Sequence, residues 1–158
     1  MPHLHLTTFI AAPIERVFDL SRCIAVYKNI FAHRNEIFSS GAGGNLVNHG
    51  ETTTYHAKHL GRIRIITLRV TSFDKPVLFI EEQVKGDLKM FKHEHHFKKV
   101  DNGTILIDLV EYDYPRDFFG NFIGKFYMKT YLESYLSLRN PIIKQYAETE
   151  KWHAVLTV

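Results

Sequence analysis

Polar and apolar residues alternate along the start of the chain. Leu4, Leu6, Thr8 and Ile10 fall on one side and His3, His5, Thr7 and Phe9 on the other, the period of a half-buried strand over residues 3–11. The period then changes. "AAPIERVFDL" sets Pro13 at a first helical position with Val17, Phe18 and Leu20 on one side, which predicts a short helix. The apolar run over 24–31 predicts another. From about residue 35 to 114 strand patterns return: "NEIFSS", the loop "GAGG", "ETTTYHAKH", "RIRIITLRVTSF", then "VLFIEEQV" after Pro76. "MFKHEHHFKKV" and "TILIDLVEYDY" flank "DNG", a hairpin signal. Beyond about Phe118 the chain reads as a helix to Glu148, with Phe122, Phe126, Leu132, Leu136 and Ile143 near one stripe and Tyr135 beside it. Pro141 lacks a backbone donor and predicts a kink or break near 137–141. The tail "KWHAVLTV" is β-prone.

Strand, two short helices, about six more strands and a long helix imply an antiparallel sheet and an α+β class. One domain is expected over 1–150, with a tail at 151–158. A strongly curved sheet around one long helix would leave a cavity between them.

Composition adds limits. The chain has 158 residues, enough for a core without metals or disulfides, and 13% are aromatic. Such residues line apolar pockets as well as fill cores. Cys23 is the lone cysteine, so no internal disulfide forms; this fits a reducing, cytoplasmic setting. "MPHLHLTTFI" has no basic region of the signal-peptide kind, and no run of apolar residues is long enough for a membrane span. The charges sum to +3 but are scattered, with no block of five alike, so no nucleic-acid partner is expected.

The stretch "FKHEHHF" concentrates the candidate chemistry. In a strand, Phe91, His93, His95 and Phe97 share one face and Lys92, Glu94, His96 and Lys98 the other. The second set is wholly polar, so His93 and His95 point inward. A three-residue "DNG" loop would set His93 opposite Glu111 and His95 opposite Leu109. A similar loop at "GDL" would set His93 opposite Glu81 and His95 opposite Phe79. The expected inward cluster is Glu81, His93 and Glu111; a slip of one residue would turn either carboxylate to the other face. Such a cluster serves as a buried polar network, as an anchor for the polar end of a ligand, or as a metal or acid–base site. Tyr55 shares a face with Ala57 and His59 and is a further cavity candidate. Asp108 is expected to pair with a basic group. No cysteine ligand, phosphate-loop ending or Gly-x-Ser-x-Gly pattern is present, so no catalytic residue, metal or cofactor is assigned.

Taken in order, "IAAPIERVFDL", "GETTTYHAKH", "FIEEQVKGDLKMFKHEHHF" and "NGTILIDLVEYDYP" resemble the START and polyketide-cyclase-like (SRPBCC) superfamily over about residues 3–147. The resemblance implies a helix-grip fold with a deep apolar cavity that binds lipids, polyketides or other hydrophobic molecules. A minority of that superfamily are enzymes, with no shared catalytic set. The expected function is binding of a small hydrophobic ligand by His93, His95, Glu81, Glu111, Tyr55, Phe79, Phe91, Leu109, Phe122 and Phe126. A cyclase, dehydratase or hydrolase using the same cavity is the alternative, and a protein-interaction role is a third.

Overall fold

The computed structural model describes residues 3–59, 62–113 and 120–156. Strand β1 (His3–Ile10) leads into helices α1 (Ile14–Ser21) and α2 (Ile24–His33). Six strands follow: β2 (Ile37–Ser40), β3 (Thr52–His59), β4 (Arg62–Asp74), β5 (Leu78–Lys85), β6 (Met90–Val100) and β7 (Gly103–Asp113). Helices α3 (Gly120–Glu148) and α4 (Trp152–Leu156) complete the order. The strands form one curved antiparallel sheet in the order β1-β7-β6-β5-β4-β3-β2. This is the α+β class that the pattern predicts and the helix-grip architecture that the resemblance implies. Two register shifts in β4, at Thr67/Leu68 and Val70/Ser72, help bend the sheet.

Helix α3 buries Met128, Leu132, Leu136, Ile143 and Ala147, spaced by three or four residues or by two turns. Two apolar clusters form. One gathers Phe18, Ile30, Phe79, Phe97, Leu106 and Ile143. The other gathers Ala57, Phe91, Val110, Leu132 and Leu136. Between them the inward-facing residues turn polar at the same level. Along β6 the order is Phe91, His93, His95, Phe97; along β7 it is Leu106, Asp108, Val110; along α3 it is Leu136, Arg139, Asn140, Ile143. Glu81 of β5 joins the same layer, and all six polar residues are buried.

Four expectations are corrected. The turn after β6 has two residues, with Val100 facing Gly103, so each β7 partner moves by one. His93 therefore faces Val110 and His95 faces Asp108, while Glu111 pairs with Lys92 and is exposed. Leu109 pairs with Glu94 on the outer face and is half-buried. A Cβ on Gly103 would collide with the Ile10 carbonyl oxygen, so this glycine lets the hairpin close against β1. Second, α3 runs through Pro141 without a break. Its last turns are tethered by Lys144 Nζ to the Phe9 carbonyl and by the Ala11 amide to Glu148, at 2.8 and 3.0 Å. Third, Phe126 is 72% exposed, and Met128 is buried instead. The Phe122 side chain lies outside the described residues. Fourth, the tail forms a short helix over Trp152–Leu156. Trp152, Val155 and Leu156 pack on the first cluster, and the Val155 carbonyl accepts from Asn45 Nδ2 at 2.7 Å. Tertiary contacts override strand propensity there.

Because Gly103 closes the hairpin that sets the inward side of β7, Gly103→Ala should lower unfolding free energy by about 2 kcal/mol. Urea denaturation checks this; an unchanged midpoint would show that the close approach to Ile10 carries no weight.

Candidate functional site

The antiparallel pairing of β5 with β6 sets Glu81 opposite His93 and Phe79 opposite His95, as the hairpin reading expects. The bonds, however, run on the diagonal. His95 Nε2 meets Glu81 Oε2 at 3.0 Å, and His93 Nε2 meets Asp108 Oδ1 at 2.8 Å. Asp108 thus takes the position assigned above to Glu111. The two imidazole rings lie against each other, 3.7 Å between centroids, and Phe79 stacks on His95 at 4.1 Å.

Helix α3 supplies the cation of the layer. Arg139 Nη2 donates to His95 Nδ1 at 3.0 Å, and Nη1 lies 3.3 Å from Asp108 Oδ1. Asn140 accepts from Arg139 at 2.7 Å and donates to Asp108 Oδ2 at 2.7 Å and to Thr8 Oγ1 at 3.1 Å. His95 Nδ1 also lies 3.3 Å from Asp108 Oδ1. A carboxylate only accepts, so His95 donates its Nε2–H to Glu81. By the same logic His93 gives Nε2–H to the Asp108 carboxylate, leaving Nδ1 as an acceptor.

The electrostatics agree. Burial pushes the Asp108 carboxyl up, but Arg139 and the histidine hydrogen bonds more than offset it and hold it well below the carboxylate range. Burial also opposes ionisation of Glu81, and the His95 bond and charge reverse this to a net lowering. Burial works against the Arg139 charge, but Asp108 above all keeps it protonated. Burial, with His95 adding to it, lowers His93 to about 4 against the pull of Asp108.

Above this layer lies a cavity of about 20 Å³ between sheet and helix. Glu81 and His93 form its polar side. Phe31, Tyr55, Phe91, Tyr131 and Tyr135 supply aromatic walls, with Leu68 and Leu132. That space holds about one water molecule. Phe31 stacks on Tyr55 at 4.9 Å and on Tyr135 at 5.7 Å. Burial raises the hydroxyl pKa of Tyr55 well above its ordinary value, and that of Tyr131 and Tyr135 too. At the far end the Tyr131 hydroxyl donates to Glu36 at 2.9 Å, and Arg34 pairs with Glu36 at 3.1 Å.

Of the residues expected to gather, Glu81, His93, Tyr55 and Phe91 line this cavity. His95 and Phe79 sit behind it in the layer. Glu111, Leu109 and Phe126 do not take part. The pattern missed Arg139 and Asn140, although both interrupt the buried stripe between Leu136 and Ile143. Glu81, His93 and His95 can each bring one ligand atom within 4.8 Å of the others, as a metal site requires. A cation there would displace the Glu81–His95 bond and face the Arg139 guanidinium, which contacts His95 directly.

No family model matches the sequence, and no curated protein matches it either. Solved structures do. A protein of Thermus thermophilus is 18% identical, with 90% of this chain and 97% of that one covered at a TM-score of 0.71. The Zhui aromatase/cyclase of a Streptomyces species is 15% identical over 93% of both chains, also at 0.71. A START superfamily protein of Mycobacterium smegmatis is 13% identical, covering 90% and 97% at 0.67. The chain shares the START-like, helix-grip fold of these structures. No described helix is long and apolar enough to cross a membrane.

Unfolding frees His93 to take up a proton near its ordinary 6.5, whereas the folded ring resists until about 4. Its contribution is therefore full above pH 6.5 and lost between 6.5 and about 4, a span worth about 3 kcal/mol. Denaturation curves across that range should show the loss. His93→Gln keeps a donor to Asp108 and should flatten the slope; parallel pH profiles for the two proteins would refute it.

Proposed function

We propose that the protein binds a small hydrophobic molecule between α3 and the sheet, with Glu81 and His93 meeting its polar part. The observation that carries this reading is the cavity wall, which is aromatic and aliphatic on all sides but the one formed by Glu81 and His93. Ligand sites commonly combine apolar walls with a few placed polar groups. The shared fold with START and aromatase/cyclase proteins supports the reading. The cavity holds about one water, so a larger ligand enters by displacing wall side chains, with Tyr131 and Leu132 of α3 moving away from the sheet. A cytoplasmic location, expected from the lone cysteine, belongs to the same proposal.

A second reading has its own observation. His93 lines the cavity and is oriented by Asp108 at 2.8 Å, the arrangement of a proton-transferring imidazole. An imidazole held at about 4 is a weak base at neutral pH, so binding is the leading reading.

The test uses N-phenyl-1-naphthylamine, an uncharged fluorescent hydrophobe. Leu132→Ala enlarges the cavity and should tighten binding about tenfold, while Leu132→Trp fills it and should abolish binding. Wild-type affinity in both variants would place the probe elsewhere and overturn the reading.

A further inference from the structure

The polar side of the cavity is made of acceptors. Glu81 is 5% exposed and spends Oε2 on His95. Among the described residues its other oxygen has no hydrogen-bond partner, although the side chain lines the cavity. His93 is 2% exposed and spends Nε2 on Asp108; its Nδ1 likewise has no described partner. Since Nε2 carries the hydrogen, Nδ1 offers a lone pair. Two acceptor atoms on buried side chains thus border one small space, with no described donor to either.

Charge points the same way. Asp108 and Arg139 lie together and offset each other. Glu81 is bonded to His95, which outweighs burial and keeps its carboxyl below the ordinary range, so a carboxylate stands at the cavity side of the layer. The remaining walls include Phe31, Tyr55, Phe91, Tyr131 and Tyr135, whose ring faces attract cations and do not attract anions.

We infer that the ligand enters with a protonated amine as its buried end, its N–H groups donating to Glu81 and His93 and its apolar body lying against the aromatic walls. Resting on the ligand-binding reading above, this narrows it to organic amines and excludes fatty acids and other carboxylates, which would bring a second negative charge and no donor to two unpaired acceptors.

Three probes of similar shape test it: 2-phenylethylamine, 2-phenylethanol and phenylacetate, titrated by calorimetry into the wild-type protein and Glu81→Gln. The amine should bind wild type at least tenfold more tightly than the acid, and Glu81→Gln should erase that preference. Should Glu81→Gln fail to fold, nitrogen-15 spectra of the wild type decide: the amine should move the His93 Nδ1 resonance and phenylacetate should not. Equal binding of all three probes, tighter binding of the acid, or an amine preference that survives in Glu81→Gln would overturn the inference and leave hydrophobic binding standing. Binding of none of the three, together with no binding of the neutral naphthylamine, would overturn both.

Discussion

A guanidinium with no exposure to water sits in the middle of this protein. Arg139 is fully buried on the inward side of α3, and a buried charge must be paired and hydrogen-bonded. Asp108 supplies the opposite charge from β7, His95 supplies an acceptor from β6, and Asn140 bridges Arg139, Asp108 and Thr8. Those bonds dock the helix on three neighbouring strands at one height. The apolar clusters above and below can pack well against either side of the layer, but they do not specify how far α3 slides along the sheet. The polar layer does, because a displacement of one helical turn would leave Arg139 among Phe79 and Phe97 or among Phe91 and Val110 of the sheet.

The same constraint shapes the candidate site. Asp108, held by Arg139, takes the His93 N–H, and Glu81 takes the His95 N–H, so Glu81 and His93 are left with one acceptor each toward the cavity. The site's polarity is therefore a consequence of how the helix is held, and the aromatic walls follow from the two clusters meeting there. Solved structures with 13–18% identity share this architecture, START and aromatase/cyclase proteins among them. The fold thus provides the space between sheet and helix, and the buried layer sets Glu81 and His93 at its edge.

Much of this was legible in the sequence. The outer face of β6, with Lys92, Glu94, His96 and Lys98, is polar throughout, so it turned His93 and His95 inward without ambiguity. β7 offered no such guide. Thr104, Leu106, Asp108, Val110 and Tyr112 on one side resemble Ile105, Ile107, Leu109, Glu111 and Asp113 on the other: each side is mainly apolar and carries acid. Only the turn length separates them, and "DNG" suits both two and three residues. The phase of α3 was legible from Leu132 onward, where Leu136, Ile143 and Ala147 follow at helical spacing. Phe126 lies about 120° round the helix from Leu132 at 3.6 residues per turn, too far to share its face. Extending the stripe upstream therefore chose Phe126 over Met128. Arg139 lay in plain view on that stripe, but a charge there reads as an interruption until its partner on another strand is known.

The double-mutant cycle between Arg139 and Asp108 tests the organising role of this pair most directly. Arg139→Met alone should cost about 3–5 kcal/mol, since it strands a buried carboxylate. Adding Asp108→Asn to it should recover part of that loss, giving a coupling of about 2 kcal/mol or more in chemical denaturation. Costs that simply add would mean that the two charges are not held by each other, and that apolar packing alone sets the position of α3.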